Sequence, residues 1–93
     1  MIKSFRCKET EKIFKGFRSA KLPLHIQTSA RTKLAALNAI VTIESLLHPP
    51  GNRLEALKGD RLGQYSIRIN QQYRLCFQFA EGHAENVEIV DYH

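Results

Sequence analysis

Asp91, Tyr92 and His93 stand in consecutive positions at the end of "VEIVDYH", and two arginines, Arg68 and Arg74, sit on strand-like stretches upstream. An acid, a phenol and an imidazole beside guanidinium groups can break an RNA phosphodiester without a metal ion. The substrate's own 2′-hydroxyl attacks the neighbouring phosphorus, and the protein moves protons and offsets negative charge. A positioned proton donor or acceptor contributes about 100- to 10,000-fold, and guanidinium groups stabilise the added charge on phosphorus. The ordinary pKa of histidine suits both proton transfers near neutral pH. Asp91 beside it can orient the ring and favour its protonated form.

Other chemistries find less support. His25, His48, His83 and His93 show neither HxxxH spacing nor cysteine partners, which argues against zinc. There is no GxSxG motif, and neither Cys7 nor Cys76 has a histidine partner in sequence. The two cysteines form no CxxC pair and read as reduced, partly buried thiols. Gly59 and Gly63 are spaced G-x-x-x-G, but the GKS or GKT ending of a phosphate loop is missing and no helix follows. The expectation is a site without metal or cofactor.

The elements that must position these residues fall into two halves. "MIKSFR" alternates Ile2, Ser4 and Arg6 with Lys3 and Phe5, as a short strand does. "KETEKIFKGF" carries Ile13, Phe14 and Phe17 at helical spacing, acids in its first turn and Gly16 as an ending. The longest helical stretch begins near Pro23, where a missing N–H costs little. Its apolar stripe is Ala30, Leu34, Leu37 and Val41, with Arg31, Lys33 and Asn38 mainly off it. Thr42 is placed to cap a separate final turn before Pro49 and Pro50 force an extended chain.

After "HPPGN" the period changes from 3.6 to 2. "QYSIRIN", "YRLCFQF" and "NVEIVDY" each alternate, with linkers short enough for antiparallel hairpins. The expectation is an α+β fold, two N-terminal helices on one face of a small twisted antiparallel sheet, forming a single domain over residues 1–93. Parity puts Tyr65, Ile67, Ile69, Tyr73, Leu75, Phe77 and Phe79 towards the helices and Ser66, Arg68, Arg74, Cys76 and Gln78 on the open side. Glu88, Val90 and Tyr92 share that open side. Asp91 and His93 take the core parity, where the end of the strand can bring them to the rim. A lone arginine on a strand is ordinarily solvated surface; two on adjacent strands are the stronger signal. "NRLEALKGDRLGQYS" reads as a turn-rich basic lip with Arg53, Lys58 and Arg61 at the entrance to the sheet.

Net charge is +5, and its layout is uneven: residues 1–33 hold nine Lys or Arg against Glu9 and Glu11, while residues 34–93 hold five against seven acids. A basic N-terminal third suits a polyanionic partner, either RNA phosphates or an acidic protein segment. No stretch approaches the ~20 apolar residues of a membrane span and no signal-peptide core is present, so the cytoplasm is the expected compartment.

The run "PPGNRLEALKGDRLGQYSIRINQQYRLCFQF" followed by "VEIVDYH" resembles the HigB branch of the RelE-like bacterial toxins, from "MIKSF" to the last residue. The resemblance implies the toxin of a type II toxin–antitoxin system, a ribosome-dependent endoribonuclease that cuts mRNA in the decoding site. It implies a HigA-like helix-turn-helix antitoxin encoded nearby, and a toxin that is monomeric alone. By the same resemblance, Asp91, Tyr92 and His93 match the family's active-site motif, and Arg74 in "YRLCF" matches the strand arginine that contacts the scissile phosphate. Some relatives carry an active-site histidine where this chain has Glu55. Glu55 as the general base, transfer of that work to His93 and Tyr92, and a weak nuclease are the readings left open. From another class, the alternative is a binding module that blocks translation, or acts with its antitoxin on DNA, without cutting.

Overall fold

The period-two segments after residue 63 become the centre of an antiparallel meander. The computed structural model describes residues 1–91. Its strands are β1 (Glu55–Ala56), β2 (Gln64–Arg68), β3 (Tyr73–Ala80) and β4 (His83–Asp91), in the spatial order β1-β2-β3-β4. Asn70 makes the β2–β3 turn by accepting the backbone N–H groups of Gln72 and Tyr73 at 2.8 and 2.7 Å. Glu81 and Gly82, both at positive φ, close the β3–β4 hairpin.

Two helices cover one face: α1 (Lys8–Phe14) and α2 (Leu24–Ala39). Ile13 of α1 and Ile26, Ala30, Leu34 and Leu37 of α2 are buried against Ile67, Leu75, Phe77, Ala84, Val87 and Ile89 of the sheet. Pro23 occupies the N-cap of α2. The buried Gln27 side chain fixes the α1–α2 connection by accepting the Ser19 N–H and donating to the Ser19 and Leu22 carbonyls.

Several expectations need correction. Val41 is not part of the buried stripe: α2 ends at Ala39, Ile40 is extended, and the Val41 side chain is 74% exposed. Phe17 is likewise exposed, because α1 stops at Phe14 and Gly16 turns the chain at φ +92°. The separate turn after Thr42 is present as a 3-10 helix over Ile43–Leu47. Thr42 sits at its N-cap position, but its hydroxyl meets the Ser45 hydroxyl instead of capping the backbone.

The N-terminal segment is two isolated parallel bridges, Ile2 to Ala84 and Phe5 to Val87, and not a continuous strand. Between those two partners β4 carries a bulge: Asn86 adopts φ +53° and the β3–β4 register slips between Cys76 and Gln78. The bulge also brings Ile2 and Phe5 to the same core, contrary to strict alternation. Ser4 accepts the Asn86 N–H, and Thr10 of α1 accepts the buried Ile89 N–H at 3.0 Å. The outer edge of β4 is thereby paired or capped, as an edge strand must be if it is not to recruit another chain. No helix among the described residues is long and apolar enough to cross a membrane.

Candidate RNA-binding and active site

The register of the sheet builds the site. Glu55 opposes Ser66, Ser66 opposes Cys76, and Cys76 opposes Glu88, so these four lie in one row across the uncovered face. The next row towards the β2–β3 turn is Arg68, Arg74 and Val90. Two guanidiniums on facing positions repel, and such a pair persists where counter-groups or a ligand offset the charge.

Arg74 has such groups. Its Nε donates to the Ser66 hydroxyl at 2.8 Å and its Nη2 to the Arg53 carbonyl at 2.6 Å, with the Ser66 carbonyl at 3.4 Å. The Glu55 carboxylate lies 3.8 Å from Nη2, and the Arg74 side chain is only 13% exposed. Arg53 presents its carbonyl to Arg74 from the left-handed conformation, φ 46° and ψ 55°, at the end of the 3-10 turn Pro50–Asn52. Beside Arg74, Arg53, Arg68, Asn70 and Gln71 complete an open cleft of about 310 Å³. Among the described residues no carboxylate pairs with Arg53 or Arg68. Three cationic forks around a cleft that is open to solvent form an anion site, and the planar guanidinium matches phosphate oxygens two at a time.

The other candidates fall at varying distance from that cleft. Asp91 is exposed at the end of β4, opposite Tyr73, and accepts a hydrogen bond from Gln72 in the turn whose Asn70 and Gln71 line the cleft. Lys58 is exposed at the start of the 3-10 turn Gly59–Arg61. Arg61 does not stand free at the entrance: its Nη1 lies 3.0 Å from Gln64 and 3.4 Å from Glu88. Tyr92 and His93 lie outside the described residues.

The open face is also less bare than parity implies. Ser66 and Cys76 are fully buried there, between Arg74 on one side and the Arg61–Glu88 pair on the other. Burial pushes the Cys76 thiol above its usual range; Arg61 and Arg74 oppose the shift and Glu88 adds to it. The thiolate, the reactive form, is therefore suppressed at neutral pH. In the native protein iodoacetamide should modify the half-buried Cys7 first and reach Cys76 only after denaturation, as read by peptide mass spectrometry; fast native labelling of Cys76 would contradict this burial.

Three residues of the site were given no role by the sequence reading. Asn70 reads as the end of the strand stretch "QYSIRIN", Gln71 as part of a short hairpin linker, and Ser66 as one more position on the open side. The two-residue β1 was also hidden: in "LEAL" the core-facing residues are Leu54 and Leu57, three apart on either side of the exposed Glu55 and Ala56, which is not the period of a strand. A second cleft, about 480 Å³, runs along the outer side of α1 between Lys8, Glu11, Lys12, Lys15, Phe17 and Arg18. It gathers four of the nine basic residues of the N-terminal third.

Comparison with known proteins agrees with this architecture. A curated relative named Toxin HigB-1, from Vibrio cholerae, is 39% identical over 87 residues and covers 92% of each chain. One named Endoribonuclease HigB, from Proteus vulgaris, is 32% identical over 93 residues and the full length of both. Among solved structures, a YoeB–YefM complex from Staphylococcus aureus contains a chain that superposes with a TM-score of 0.63 at 21% identity, covering 100% of this chain and 95% of that one, which shows the shared fold. A family profile described as the RelE-like toxin of type II toxin–antitoxin system HigB matches residues 3–93. The chain therefore belongs to the HigB-like family of RelE-like toxins.

Proposed function

We propose that this chain is the toxin of a type II toxin–antitoxin pair and acts as an endoribonuclease that cuts mRNA on the ribosome. The observation that carries the reading is the convergence of Arg53, Arg68 and Arg74 on one open cleft, at the end of the sheet where Asp91 of β4 pairs with Tyr73 of β3. Family membership supplies the substrate class, and the endoribonuclease name of the Proteus vulgaris relative agrees with it.

The chemistry follows from the groups at hand. Arg74 binds the non-bridging oxygens of the scissile phosphate and offsets the charge that grows as the 2′-oxygen attacks phosphorus. Glu55, the carboxylate beside Arg74, accepts the 2′-hydroxyl proton. The terminal Tyr92 and His93 supply a proton to the departing 5′-oxygen, with Asp91 favouring the charged imidazole. The products are a 2′,3′-cyclic phosphate and a 5′-hydroxyl, so no water enters the bond-making step. Arg53 and Arg68 hold flanking phosphates, with Lys58 and Arg61 on the loop nearer β1.

The ribosome presents the mRNA, and the reaction takes place in the cytoplasm. The restraining partner is an antitoxin of the HigA-like helix-turn-helix kind, encoded beside the toxin. Primer extension on cellular mRNA after induction without the antitoxin tests the reading. New 5′ ends within ribosome-covered codons are expected. Intact messages under stalled ribosomes would replace cleavage with simple blocking of translation.

A further inference from the structure

The cleft is aimed from behind as well as lined from the front. Arg74 is a long side chain on a strand, and such side chains lose much rotamer freedom when fixed. Something must hold it if its fork is to meet a phosphate in one orientation. Two anchors do so from different elements: the buried Ser66 hydroxyl on β2 and the Arg53 carbonyl in the loop before β1.

The second anchor is itself fixed. Asn52 is 2% exposed and donates through Nδ2 to the Leu46 and His48 carbonyls, both at 3.2 Å. Its Oδ1 accepts a hydrogen bond from Lys33 on α2. The Asn52 N–H donates to the Pro49 carbonyl at 3.0 Å, and the Arg53 N–H donates to Pro50 at 3.1 Å. The left-handed backbone of Arg53 is thus set by the turn that Asn52 ties to the helical layer. A non-glycine residue in that region is uncommon and persists where its surroundings determine it.

We infer that Ser66 and Asn52 are positioning residues for the RNA-cleaving site: Ser66 directly, and Asn52 through the Arg53 carbonyl, they hold the Arg74 guanidinium towards the cleft. The inference rests on the nuclease reading above for its substrate, but its geometric content does not. Neither residue carries charge, and neither is among those that line the cleft. Their effect is transmitted through Arg74, and a displacement of about 1 Å at a reacting group can lower a rate about a hundredfold.

The test uses the full chain in two measurements. In the first, exchange of the Arg74 Nε–H with water is followed by nitrogen-edited NMR. In Ser66→Ala this proton should exchange about tenfold faster or more than in the parent, because its buried acceptor is gone. In the second, cleavage of ribosome-bound mRNA is measured in a cycle with Arg74→Lys. Ser66→Ala should lower kcat about ten- to a hundredfold with little change in KM, and should add almost nothing once Arg74 is already lysine. Asn52→Ala, which acts through the acceptor of Nη2, should behave alike in the cleavage cycle; should it unfold, Ser66→Ala, which removes one oxygen atom, decides alone.

An equal loss in both backgrounds, or an unchanged Nε–H, would overturn the inference. If the parent cleaves no RNA, the function fails and the NMR measurement still judges the positioning.

Discussion

Arg74→Ala and His93→Ala are each expected to lower cleavage of ribosome-bound mRNA steeply: about 100- to 1,000-fold for the guanidinium, as for a lost oxyanion donor, and about 100- to 10,000-fold for the proton donor. The arginine figure follows from its setting. Its side chain is 13% exposed and held on two anchors, so its charge acts in a largely desolvated site without needing to reorganise during the reaction. Arg53 is exposed and neither it nor Arg68 is paired to a carboxylate among the described residues; alanine at either should chiefly raise KM.

Stability separates chemistry from folding in the same experiment. Arg74→Ala leaves the buried Ser66 hydroxyl without its donor, which costs about 1–3 kcal/mol, whereas the Arg53 carbonyl belongs to an exposed residue and can turn to water. For His93→Ala, the melting temperature set beside the parent's separates loss of the proton donor from loss of the fold. Single-turnover cleavage and thermal melting on the same preparations check both. Parent-like cleavage by either variant would remove its residue from the mechanism.

How far the sequence discloses this arrangement depends on whether a feature is periodic. The stripe Ala30, Leu34, Leu37 and the alternation of Ile67, Leu75 and Phe77 are written in spacing, and the structure buries all of them. Strand parity likewise puts Arg68 and Arg74 on the face away from the helices. The bulge at Asn86 is one residue in a left-handed conformation, which leaves no period to detect. β1 has two residues and sits inside a run dominated by turn formers. Parity tells which side Ser66 and Cys76 face but not that they are covered there, because the cover is the fold-back of Arg74 and the Arg61–Glu88 pair. Those contacts join residues far apart in sequence. Phe17 and Val41 show the converse: apolar residues at helical spacing whose helices end before reaching them.

The largest effect on stability is expected from Phe77→Ala. Phe77 is fully buried at the middle of β3, its ring 6.3 Å from that of Tyr65 on β2. Truncating such a side chain costs about 3–5 kcal/mol, a large part of the roughly 5–14 kcal/mol that holds a chain of this length folded. The melting temperature should fall by more than about 10 °C. β3 presents Phe77 to the helices and Arg74 to the cleft, three residues apart on one strand, so both substitutions lower activity at growth temperature for different reasons. Phe77→Ala should regain cleavage on cooling as the folded fraction recovers, while Arg74→Ala keeps its deficit of about 100- to 1,000-fold at every temperature at which it is folded. Calorimetry and cleavage measured across one temperature series decide it. A Phe77→Ala protein that melts with the parent would mean that the helices and sheet are held together elsewhere than at this ring.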